Sequence, residues 1–105
     1  MEVYLVACYM PIPGKETGLR EELQTHVDIL LNQSLATDAP FIQMRSTDGT
    51  VMEVFEWTSQ EAIATAHTNP VVLEMWKRFE ACSTYIKFAD LPESELLYAA
   101  FSPLE

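Results

Sequence analysis

The chain has 105 residues, enough for one compact core and too few for two ordinary domains, so residues 1-105 are read as a single domain. Apolar residues make up 49% and charged residues 21%, which excludes a disordered or fibrous chain, and a net charge of -10 argues against both nucleic acid and membrane as partners. No apolar run approaches the ~18 residues of a bilayer span, and Glu2 stands where a signal peptide carries basic charge, so a cytoplasmic protein is expected.

Residues 3 to 10, VYLVACYM, form an apolar run rich in β-branched and aromatic side chains, bounded by Pro11, Pro13 and Gly14; the run predicts a strand buried on both faces. Leu19, Leu23, Val27, Leu30, Leu31 and Ser34 then recur at spacings of three and four, predicting a helix from about 15 to 35, with Ile29 outside the stripe and His26 at its edge. After Pro40, FIQMRST and TVMEVFEW flank Asp48-Gly49, a pair suited to a two-residue type I′ hairpin turn. Pairing Thr47 with Thr50 puts Ile42, Met44, Val51, Glu53, Phe55 and Trp57 on one face, and Phe41, Gln43, Arg45, Met52, Val54 and Glu56 on the other. Thr58 and Glu61 have capping-box spacing, opening a short helix that breaks near His67. Asn69 as N-cap and Pro70 at the first helical position start another, with a stripe of Val71, Val72, Met75, Trp76, Phe79 and Cys82. Pro92 interrupts a polar connection, and Leu96 to Phe101, LLYAAF, is the expected final strand. Cys8 and Cys82 lack CxxC spacing and read as buried free thiols.

The order βαββαβ predicts an α+β, ferredoxin-like domain, a four-stranded antiparallel sheet with two helices on one face. A sheet covered on one side should alternate apolar with polar, yet VYLVACYM and LLYAAF are apolar on both faces. The bare face implies a cover, and a second copy of the sheet, giving a homodimer through sheet faces, is the economical one.

Glu53 to Phe79 resembles the antibiotic biosynthesis monooxygenase family. Glu56 and Trp57 close the third strand, His67 follows ten residues later, and Asn69-Pro70 restarts an apolar helix. The resemblance implies a dimeric α+β barrel and a cofactor-independent monooxygenase acting on a small aromatic or polyketide-like substrate, with no cofactor. The family's haem-degrading branch adds an Asn on the first strand; here that region reads Cys8, Tyr9, Met10, which disfavours haem chemistry. Two other functions stay open, a non-catalytic module binding a small hydrophobic or aromatic ligand, and a structural partner of a larger enzyme.

Trp57 and His67 are the candidate catalytic pair, expected to line one cavity. Trp57 would stack on a planar substrate or serve as a core aromatic, and His67 would move protons or cap its helix. Glu53, beside Phe55, is a carboxylate set among apolar groups, where lost hydration penalises charge, or else lies at a wet rim. Tyr9 is a candidate donor to an oxyanion or a packing residue. Met44 and Met75, with Met10 and Met52, suit adaptable packing around a cavity or plain core filling. Glu53, Phe55, Met44, Tyr9 and Met75 therefore form the expected substrate-binding set. No metal site is expected, since the two histidines lack ligand spacing.

Overall fold

The computed structural model describes residues 1–104. Their elements are β1 (Val3–Pro11), α1 (Glu16–Asn32), β2 (Ile42–Arg45), β3 (Val51–Trp57), α2 (Gln60–Ala66), α3 (Pro70–Cys82), β4 (Ser83–Ile86) and β5 (Ser102–Pro103), with two short helical turns between β4 and β5. Among the described residues the strands form one antiparallel sheet in the order β4-β1-β3-β2-β5. The result is a small α+β domain, compatible with a ferredoxin-like arrangement but carrying five strands where the sequence predicts four. Among the described residues no helix is long and apolar enough to cross a membrane.

The stripe of α1 that enters the core is Leu19, Leu23, His26 and Leu30, spaced four, three and four. His26 therefore occupies the centre of the buried face rather than its edge, and Ile29 packs against the core beside it, while Leu31 turns outward. The helix ends earlier than predicted because Ser34 takes a positive φ of 59° and Leu35 N–H returns to the Leu30 carbonyl.

The hairpin between β2 and β3 differs from its predicted register by one residue. Ser46, not Thr47, faces Thr50, with Ser46 N–H donating to the Thr50 carbonyl at 2.8 Å. Three residues, Thr47, Asp48 and Gly49, make the turn, Gly49 taking a φ of 93° that a side chain would strain. The slip moves every β2 side chain to the opposite face. Gln43 now pairs with Glu53 and Arg45 with Val51, while Met44 pairs with Met52. Phe41 follows the same parity and stacks on Phe55 at 4.9 Å.

Two further boundaries shift. Ser59, not Thr58, caps α2 by accepting from Ala62 N–H at 3.1 Å, and the Thr58 hydroxyl donates to the Leu35 carbonyl at 3.2 Å. The Asn69 cap and Pro70 start of α3 stand as predicted, with Asn69 accepting from Val71 and Val72 N–H. The predicted strand at Leu96 to Phe101 is not one. β4 follows α3 directly and pairs with β1, Cys8 facing Ile86, whereas Leu96, Leu97 and Tyr98 are exposed.

Registers place Val3, Leu5, Ala7 and Tyr9 on the helix side, level with Trp57, Phe55, Glu53 and Val51. The main core fills that side. On the other side Cys8 and Met52 are covered by Leu91, with Met44, Ile86 and Phe101 around them. The next row, Val6, Val54 and Ile42, has no such cover, and Val6 and Ile42 are exposed.

Candidate functional site

Strand alternation aims Glu53 into the helix–sheet interface, where its exposure is 0%. Three polar groups meet it there. The Tyr9 hydroxyl, from β1, donates to Oε1 at 3.2 Å, and Gln43 Nε2, brought to this face by the register slip, donates to Oε2 at 2.9 Å. His26 Nδ1 lies 2.8 Å from Oε1 but off the line of a directed hydrogen bond. The imidazole is walled by Phe55 and Phe79, both edge-on, at 5.1 and 5.3 Å between ring centres. Tyr9 stacks on Phe79 at 5.0 Å. Burial, followed by the Glu53 charge, pushes the Tyr9 phenol well above its usual acidity range, so it stays a proton donor at any working pH. The arrangement can accept, hold and relay a proton away from bulk water.

The candidates expected from sequence divide. Tyr9, Glu53 and Phe55 come together in this cluster, and Met75 is fully buried in the same core. Met44 does not join them. The one-residue slip sends it to the opposite face with Met52 and Leu91. Trp57 is buried beside Phe55, 5.2 Å between ring centres, and its indole N–H finds no acceptor among the described residues. His67 is exposed at the end of α2, its Nδ1 2.8 Å from the Ile63 carbonyl and its ring 5.0 Å from Trp76. The shared Trp57–His67 cavity is therefore not formed, because His67, at the C-cap of the short α2, turns outward toward α3. Sequence reasoning missed His26 and Gln43. The four-three-four spacing of the buried α1 stripe carried the signal for His26.

A half-open pocket of about 360 Å³ lies at the β2–β3 turn end of the sheet, walled by Met10, Leu19, Val51 and Leu104 with Arg20 and Arg45. Val51 connects it to the cluster. Tyr9 is its cross-strand partner, and Glu53 points the same way two residues further along β3, about 7 Å by strand rise. Among the described residues no group of three or more His, Cys, Asp or Glu side chains is placed to hold a metal ion.

No protein-family model matches the chain, and no curated protein matches it. Among solved structures it is similar to that of Rv0793 from Mycobacterium tuberculosis, with a TM-score of 0.58 and 22% identity, covering 80% of this chain and 85% of that chain. At that identity the likeness speaks to the fold alone, a small α+β domain.

Proposed function

We propose that this chain is a cofactor-independent monooxygenase of the dimeric α+β barrel type, acting on a small aromatic or polyketide-like substrate. The buried cluster of Glu53 with Tyr9, His26 and Gln43 carries the reading. An ionisable group in a core is retained against a penalty: apolar side chains of the same volume often serve stability as well or better, whereas removing one partner of a buried pair costs about 3–5 kcal/mol. A carboxylate, an imidazole and a phenol gathered beside an open pocket make a functional-site signature. The strand order β4-β1-β3-β2, with α1 and α3 over one face, is compatible with a ferredoxin-like unit, and β5 adds a fifth strand at its edge.

The chemistry asks for a base. A methylene flanked by aryl or carbonyl groups loses a proton to the Glu53–His26 pair, and the resulting carbanion supplies the electrons that reduce dioxygen. The substrate gains a carbonyl oxygen from dioxygen while the second oxygen atom leaves as water, so the methylene is the reductant. Tyr9, fixed as a donor to Glu53 Oε1, holds the carboxylate in place. Oxygen-electrode assays over anthrones and quinols test this. Wild type is expected to consume oxygen, and Glu53→Gln and His26→Gln to lower the rate by about 100-fold or more, the range for loss of a positioned acid or base. Uptake unchanged in both variants overturns the assignment. A second reading, a non-catalytic ligand carrier, draws on the seal over Glu53 and His26 beside an open pocket; a ligand retained in native mass spectrometry, with no oxygen uptake across the panel, favours it.

A further inference from the structure

We infer that the pocket at the β2–β3 turn end of the sheet is a binding site for a small planar organic anion, an aromatic carboxylate or phenolate. The chain has only 6 Lys and Arg against 16 Asp and Glu, yet two of those cations, Arg20 from α1 and Arg45 from β2, line this one pocket. They come from different layers, helix and sheet, so they reach it from two sides. Among the described residues Arg78 pairs with Glu22 and His26 Nδ1 contacts Glu53, and neither pocket guanidinium group has a carboxylate partner there.

Two acids, Glu16 and Asp48, also line the pocket, so its formal charges balance, and neither acid is within ion-pair distance of a pocket guanidinium. The Asp48 carboxylate is engaged in the turn, where Oδ1 accepts the Thr50 N–H at 2.9 Å, and that hydrogen bond holds its pKa below the usual carboxylate range. Glu16 lies in the first turn of α1, where the positive helix end favours it. The walls from Met10, Leu19, Val51 and Leu104 are apolar and suit a flat ring system, and about 360 Å³ falls within the size range of small-ligand pockets. Guanidinium groups donate two parallel hydrogen bonds to a carboxylate and stack on aromatic rings, so both ends of such a ligand are matched. In a protein of net charge -10, the two guanidinium groups are the pocket's cationic donors for an anion.

The assignment deepens the proposed function by naming its substrate class, and for turnover it rests on that reading. Naphthoate and its neutral amide, naphthamide, titrated into the full-length protein and followed by amide chemical shifts, test binding directly. Naphthoate is expected to shift Leu19, Val51 and Leu104, to weaken as salt rises, and to bind about 10-fold or more tightly than naphthamide. Arg20→Gln and Arg45→Gln should each weaken it by about 10-fold or more, and Lys87→Gln, an exposed charge outside the pocket, should leave it unchanged. Equal binding of the two probes, no binding of naphthoate at millimolar concentration, shifts that map elsewhere, or wild-type affinity in both arginine variants each overturns the site. The two readings fail separately. Naphthoate binding without oxygen uptake on any phenol or anthrone retires the monooxygenase and keeps the anion site, while uptake indifferent to both arginine changes retires the anion site and keeps the monooxygenase.

Discussion

Glu93 accepts from the Ser46 hydroxyl at 2.6 Å and from Thr47 N–H at 3.0 Å, and these donors, Ser46 foremost, hold its carboxyl down to about 2. Unfolding returns it to near 4.5. Because the folded value is the lower one, the contact contributes stability above the unfolded value and loses it as pH falls from about 4.5 toward 2. Ser46→Ala should therefore flatten the acid limb of stability, read as urea midpoints on either side of that window; an acid slope identical to wild type would show that these donors do not set the carboxyl's acidity. The same residue-level logic explains what of the site was legible. Glu53 stands among apolar side chains on a clear alternating strand, which raised burial as one of two readings, the other being a wet rim. Gln43 was hidden by a one-residue slip that put it on the wrong face, and His26 by a stripe counted through Val27. Trp57 and His67 came from a family resemblance, and their geometry depended on where a short helix points, which spacing does not dictate.

The slip itself comes from the turn. Asp48-Gly49 suits a two-residue connection, but the Asp48 side chain caps Thr50 N–H and Gly49 takes the left-handed position, closing a three-residue loop instead. Gly49→Ala should lower stability by about 1–2 kcal/mol, since nothing crowds the new methyl and only the backbone conformation resists it. Gly18→Ala, inside α1 with ordinary 3.8 Å contact to the Cys82 Cβ, should instead raise it by about 0.4–1 kcal/mol. Urea unfolding of the two variants checks both signs, and a stable Gly49→Ala would show that the turn does not need its left-handed residue. Strongly punctuated elements were readable: β1 before its prolines, α3 behind Asn69-Pro70, the hairpin around its glycine. β4 was not. Four residues follow α3 with no intervening turn signal, and their strand character arises from pairing with β1, a contact distant in sequence. LLYAAF looked like a strand because apolar runs usually are, but the edge place beside β1 is taken by β4, and the tail reaches the opposite edge only at Ser102 and Pro103.

At the scale of the whole molecule, the strands that are apolar on both faces meet two different covers. The segment after β4 lays Leu91 and Phe101 over Cys8 and Met52, which accounts for half of the second face. The other half is open: Val6, Val54 and Ile42 form a row across three neighbouring strands, with Tyr4 beside it at 63% exposure, and Leu96, Leu97 and Tyr98 are exposed in the segment before β5. An apolar row of this kind on a sheet is a surface for another apolar surface, and a symmetric pairing offers each copy the same row. The expected outcome is a homodimer through these faces. Sedimentation at micromolar concentration should give twice the 11.9 kDa chain mass. Within VYLVACYM the structure separates buried positions from exposed ones. Cys8 and Tyr9 are buried within the chain, whereas Val6 is exposed in the single copy, so Val6→Glu should leave a folded monomer with native circular dichroism. Because association stabilises the folded state by mass action, wild type should also melt at temperatures that rise with protein concentration and Val6→Glu should not. A wild-type chain that sediments as a monomer across that range would end the dimer proposal and leave the open row to some other occupant.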